Sequence, residues 1–378
     1  MTDSTQLPRR SFLAMTAWSL ASCGGGMGGF AGLPGTGGTG IFSIGAIAGF
    51  GSVIVNGVKF DDGQALVQVD GIATTSANLR LGMLATVQGV RGATAALGTA
   101  SSIEVWSVAQ GVISQAGSGQ FTFMGMTMQT DSATVFDGVS SAAALAPGLP
   151  VAVWGLQASV DASRWIATRV AVVSAAAVVA SGLVTVAGSQ RYLNGLLLTG
   201  ALASSLSAGQ LVRAQGILSV MGNSIQVTTV KRLDNDTAQV SQGETEIEGV
   251  VTATPSTSRF TLGSIEVDAS AASFIPSTLQ ITIGARLEVH GTWQAGVLRA
   301  SVVEVEDELS LGSVEIEAPI EQFTSVANFV VRGQRCDASG VTTVAHGTLA
   351  DLRVGARVHL KGSKFGDIVN VTQLEIEN

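Results

Sequence analysis

Within five short segments, each closed by a glycine, apolar and polar residues alternate with a period of two. Counting back from that glycine, the second residue is Val87, Val153, Ala214, Val289 or Leu360, and the fourth is Ala85, Val151, Val212, Leu287 or Val358. All are apolar. The first and third are Gln88 and Thr86, Trp154 and Ala152, Gln215 and Arg213, His290 and Glu288, Lys361 and His359, which are mostly polar. Successive side chains of a strand point to opposite faces, so this pattern predicts a half-buried antiparallel strand in each copy.

Each of these strands follows a corner with an aliphatic residue three positions before a first glycine. The copies are Leu79–Gly82–Gly89, Leu145–Gly148–Gly155, Leu206–Gly209–Gly216, Ile281–Gly284–Gly291 and Leu352–Gly355–Gly362. A fixed repeat predicts an array of one small unit. Four further strands recur around it. First strands begin at Gly45, Gly111, Gly182, Gly249 and Pro319, and second strands end in turn glycines at Gly57, Gly125, Gly195, Gly263 and Gly333. In Asn56-Gly57 and Asn194-Gly195 both residues tolerate positive φ, the strongest short hairpin signal. Third strands are expected at Leu66 to Asp70 and Ser264 to Asp268, and fifth strands at Ile103 to Val105 and Val302 to Val305.

The expected fold class is all-β: a tandem array of about five small five-stranded, OB-like barrels or curled sheets, with a two-layer sandwich per unit as the alternative. A lone unit of this size is marginal, so neighbouring units are expected to pack end to end and share stability. The expected divisions are 1–22 (export signal), 23–43 (Gly-rich tether), 44–106, 107–174 and 175–233 (units one to three), 234–245 (linker), and 246–307 and 313–378 (units four and five). The uncharged run Val170 to Gly188 is long enough for a membrane helix. Its serines, Gly182 and repeat phase instead read as a strand, a joint and another strand.

Composition agrees with short strands and tight turns: 47 glycines, 46% hydrophobic residues, only 5% aromatic and 13% charged. A formal charge of −8 is wrong for nucleic acid or for electrostatic attachment to anionic lipid. Two cysteines, Cys23 and Cys336, are too few for a disulfide framework.

Arg9 and Arg10 precede a short apolar run, the layout of an export signal and not of a membrane span. The spacing Arg9-Arg10-x-Phe12-Leu13 resembles a bacterial twin-arginine signal. Leu20-Ala21-Ser22-Cys23 resembles the lipobox of bacterial lipoproteins, which implies a lipid on Cys23; Gly24 at the following position implies the outer membrane. Gly49-Phe50-Gly51-Ser52-Val53-Ile54-Val55-Asn56-Gly57-Val58-Lys59-Phe60-Asp61, then Leu81-Gly82-Met83 and Val87-Gln88-Gly89, resemble a family of exported bacterial repeats called domain of unknown function 5666. The resemblance is close over Ile44 to Trp106, weaker over Val108 to Ser174 and skeletal thereafter. It implies class and address, with no catalytic residues.

No nucleophile elbow, phosphate-cradling loop or His-Glu-x-x-His motif is present. His290, His346 and His359 are spread over two units and read as surface residues, not a zinc set. Cys336 reads as a small half-buried thiol, although His346 and His359 lie in its unit. Asp234-Asn235-Asp236 lacks the glycine and distal glutamate of a calcium hand. The acidic positions Glu304, Glu315 and Glu317 fit a solvated strand face. Trp154, His290, His359 and Lys361 on outward strand faces are the candidate ligand contacts, and for Trp154 packing in a joint between units is the favoured reading. The expected function is therefore a non-catalytic, lipid-anchored envelope protein that binds or scaffolds, without a cofactor or metal. Its expected partners are the membrane, through the lipid, and an envelope protein or polysaccharide.

Overall fold

The computed structural model describes residues 40–174, 178–233, 243–305 and 313–377. They fold into five closed barrels of five principal strands. The fourth barrel serves as the pattern. Its first strand, Glu244–Ser256, pairs with the second, Arg259–Leu262, which pairs with the third, Ile265–Asp268. The third runs parallel to the fifth, Val297–Val305, which pairs with the fourth, Arg286–Gln294, and that strand returns to the first. The order first, second, third, fifth, fourth closes the sheet, as expected for an OB-like unit. The same circuit recurs in the other four barrels, with strand one interrupted in barrels one and two.

The two repeated glycines do different work. The corner glycines take φ between +74° and +91°, and each donates its N–H to a first-strand carbonyl; for Gly82 to Ile47 and Gly209 to Val184 the distance is 2.9 Å. This pins the start of strand four to the middle of strand one. Each closing glycine sits on a β-bulge opposite strand five, as between Gln215 and Gly216. A Cβ there would lie 2.1 to 2.5 Å from a backbone carbonyl oxygen, so no side chain fits. All ten apolar residues counted back from these glycines are buried.

One strand differs from expectation. In barrel one the third strand is Val58–Asp61, immediately after the Asn56-Gly57 turn. Leu66–Val69 pairs further along strand five, the position that Ser273–Ile275 takes in barrel four. The alternating Val67 and Val69 satisfy a half-buried strand at either place, so the pattern alone misplaced it.

The barrels do not follow one another end to end. The first strand of barrel one, Gly40–Ala46, pairs in parallel with that of barrel four, Ile41 opposite Glu244 and Ile44 opposite Ile247. Gly49–Phe50 pairs with the first strand of barrel five. Barrels one, four and five thus share one sheet system, and barrels two and three share the other. The cause lies in the long first strand. Its N-terminal half pairs inside its own barrel only with strand four, which leaves one backbone edge open. An open edge is a template for another strand. Val170 to Gly188 contains the end of one strand and the whole of another, Val178–Ala187; among the described residues no helix is long and apolar enough to cross a membrane.

Candidate functional site

The faces expected to point outward are largely covered by neighbouring barrels, and buried cations cross the joints. Arg169 of barrel two donates to the Leu81 carbonyl of barrel one at 3.0 Å and pairs with Asp137; burial lowers its guanidinium to about 10. Arg213 of barrel three donates to the Ser107 carbonyl at 2.7 Å and to Asp70 of barrel one at 2.9 Å. Lys364 of barrel five donates to the Thr134 carbonyl of barrel two at 2.6 Å, and burial holds it down to about 8. A cation on an otherwise apolar joint needs a fixed partner, so these contacts specify which faces meet.

Trp154 is 6% exposed and belongs to the apolar cluster running through barrels one and five, with the Arg169 guanidinium 6.0 Å from its ring centroid. It offers no open ring to a ligand, which removes it from the candidate ligand contacts and agrees with the favoured reading of a side chain packed in a joint between units. The fourth strand of barrel two is overlaid by barrel one, so its polar-side positions are interior. His359 and Lys361 stay on an accessible face. Both pair with Glu315 of the adjoining first strand, at 2.8 and 3.2 Å. Burial alone would raise the Glu315 carboxyl, but Lys361 and His359 outweigh it and hold the carboxyl below its usual value.

His290 has carboxylates on both ring nitrogens. Glu246 lies 3.3 Å from Nδ1, and Glu288 and Glu304 lie 3.1 and 3.0 Å from Nε2. Arg91 of barrel one pairs with Glu244 and Glu246 in the same cluster. Glu288, His290 and Glu304 bring ligand-type atoms within 4.8 Å of one another, as do Glu244, Glu246 and His290. The first set is the better metal-type grouping, because Arg91 already occupies the carboxylates of the second. Sequence reading set the three histidines side by side and did not pair His290 with the glutamates across the strand.

Burial alone would lower the His290 imidazole, yet its bonds to Glu246 and Glu288 carry it to about 10. In the unfolded chain it returns to about 6.5. A raised pKa contributes stability that is full below 6.5 and is lost as pH rises toward 10. Between pH 7 and 8 the protein is expected to lose about 1 kcal/mol of stability per pH unit. Above pH 8 the lowered Lys364 opposes the trend. Denaturant titrations at pH 7.0, 7.5 and 8.0 should show the slope in the wild type and not in His290→Gln; an equal slope in both refutes the assignment.

Cys336 is buried, and burial pushes its thiol up to about 12. It donates weakly to the Gln334 carbonyl at 3.5 Å, while His346 pairs with Glu375 and His359 with Glu315. A thiol so held is a core side chain. Cys23, Arg9, Arg10, Phe12, Leu13 and Asp234-Asn235-Asp236 lie outside the described residues.

A cleft of about 410 Å³ lies where barrels one to four meet. Trp106 of barrel one, Trp165 of barrel two and Trp293 of barrel four line it, with Ile44, Leu156 and Leu211 among its apolar walls. Trp106 and Trp293 had not been singled out. Each follows the end of a repeat motif at a different phase, so no periodic signal connects them. The joint between the first strands of barrels one and four brings them together.

Three stretches, residues 110–171, 248–304 and 317–369, match the family model described as Domain of unknown function (DUF5666). No curated protein matches the chain. The matched stretches fall on barrels two, four and five, whereas the quoted motifs placed the closest resemblance on the first unit. The closed barrels and the matches agree: three of the five units are DUF5666-like repeats.

Proposed function

We propose that this protein is a non-catalytic, lipid-anchored component of the cell envelope that binds or scaffolds another molecule. The observation that carries the binding role is the cleft between barrels, whose walls are apolar and aromatic and whose carboxylates are already ion-paired. Such a lining suits the holding of a molecule, and the carboxylates among its described residues each face a cation. The buried thiol of Cys336 supports the same reading. The address rests on the signal-like segment and Cys23. With Trp154 in a joint, the polysaccharide reading loses its chosen contact, and the cleft takes its place as the expected site of capture.

Fractionation of cells expressing the full chain tests the address. The wild type is expected in the outer-membrane fraction and Cys23→Ser in the soluble envelope fraction. Equal partition of the two refutes the anchor. In-cell crosslinking of the wild type then tests the role: a discrete co-purifying molecule supports binding or scaffolding, and substrate turnover by the purified chain overturns it.

A further inference from the structure

We infer that Glu288, His290 and Glu304 of barrel four form a binding site for one divalent transition-metal ion of the zinc class. This goes beyond the proposed binding role and does not depend on it. The three side chains come from paired strands. Glu288 lies opposite Glu304 between strands four and five, and His290 lies opposite Glu246 of strand one. Glu288 and His290, two residues apart on one strand, therefore share a face with Glu304. Around the imidazole Nε2 the carboxylate oxygens of Glu288 and Glu304 stand at 3.1 and 3.0 Å. The three ligand-type atoms lie within 4.8 Å of one another. Ligands of an ion with bonds of about 2.0 to 2.2 Å stand about 3 Å apart, so small side-chain rotations centre an ion among them. Glu288 is buried, while His290 and Glu304 keep part of their surface in solvent and leave a path in.

Two features favour an ion over a proton alone. An imidazole Nε2 carries one hydrogen, and here two carboxylates compete for it. Charge is also left over. The ion pairs set Glu244, Glu246, Glu288 and Glu304 against Arg91 and His290, four carboxylates against two cations even with the imidazole protonated. One oxygen of Glu246 is buried and accepts no hydrogen bond among the described residues. The ion does not touch that oxygen; it offsets the excess charge of the group.

The ligand types select the ion. An imidazole with two carboxylates suits zinc-like ions, whereas Ca²⁺ and Mg²⁺ take oxygen ligands. Glu246 stands 3.3 Å from Nδ1, and a metal-bound histidine commonly gives its other N–H to a carboxylate, which fixes the ring. His359 also has carboxylates beside both nitrogens, Glu315 at 2.8 Å and Glu375 at 3.9 Å. There Lys361 and Lys59 already stand 3.2 and 3.8 Å from Glu315, so its charge is met.

The full chain carrying Cys23→Ser, stripped of metal with EDTA, is titrated with zinc chloride by calorimetry at neutral pH. Saturable binding of one zinc ion per chain is expected. His290→Gln should abolish it. Glu304→Gln, at a partly exposed position, should weaken it about a hundredfold, the upper range for disturbing a metal site. His359→Gln should bind as the parent does, and a large excess of Mg²⁺ should not displace zinc. Zinc should raise the melting temperature of the parent and of His359→Gln and leave that of His290→Gln unmoved. Circular dichroism checks that the variants fold; if His290→Gln does not, Glu304→Gln decides. Absence of one-to-one binding, parent-like affinity in His290→Gln or Glu304→Gln, loss of binding in His359→Gln, or displacement by Mg²⁺ overturns the proposal. The pH slope expected for His290 belongs to the metal-free chain and is read in EDTA.

Discussion

Arg213→Ala is expected to destabilise the protein by about 3 kcal/mol, the range for breaking a buried ion pair. The guanidinium is 2% exposed. It bridges barrel three to the Ser107 carbonyl and hydroxyl and to Asp70, and stacks 5.1 Å from the centroid of Trp106. Alanine removes all four contacts and opens a void in the joint. Asp70 retains bonds from the Ser107 N–H and hydroxyl at 2.8 and 3.0 Å and is partly exposed, which keeps the loss below the upper end of that range. The double variant Arg213→Met, Asp70→Asn should recover at least half of the stability, because it fills the volume and removes the orphaned charge. Denaturant titration at neutral pH reads both. A loss under about 0.5 kcal/mol in Arg213→Ala would place this contact among ordinary surface pairs.

That expectation follows from the joints, which were the least legible part of the chain. The repeat itself was plain. Five corner glycines, five bulge glycines and ten apolar positions between them recur at fixed spacing, because each answers a local demand within one barrel. The Asn-Gly turns were plain for the same reason. Arg213, Trp154 and Glu288 occupy positions that read as outward-facing, and within their own barrels they are. Contact with barrel one turns Trp154 of barrel two and Arg213 of barrel three inward, and the pairing of the first strands of barrels one and four turns Glu288 inward. That pairing depends on open backbone edges of the first strands, and backbone edges carry no side-chain period. A polar residue on a strand face reads the same whether water or another barrel covers it. The cleft shares this origin: its tryptophans belong to barrels far apart in sequence, and none marks the site alone. His359 and Lys361 show the converse, since their partly exposed pairs with Glu315 form within the register of one barrel, with Lys59 of barrel one 3.8 Å away as the added contact from the joint.

The bulge glycines give the second large effect. Gly216→Ala should cost about 3 kcal/mol, because its Cβ would lie 2.1 Å from the Gln226 carbonyl oxygen and 2.9 Å from the Ile225 side chain. The oxygen is backbone in a paired strand and cannot rotate away, so strands four and five of barrel three must separate. Gly209→Ala in the same barrel meets nothing within 4 Å, and its difficulty is φ of +81° alone. That should cost about 1 to 2 kcal/mol, the strain of a left-handed backbone. Gly117→Ala, with open space and no positive φ, should lie within about 0.5 kcal/mol of the wild type. The ordering Gly216, Gly209, Gly117 separates the two demands that the repeat imposes, steric approach of two backbones and a left-handed turn. Thermal melts of the three single variants read that ordering directly. Equal losses at Gly216 and Gly209 would mean that strand five shifts to admit the methyl group, and that the closing glycine is kept for chain flexibility and not for strand contact.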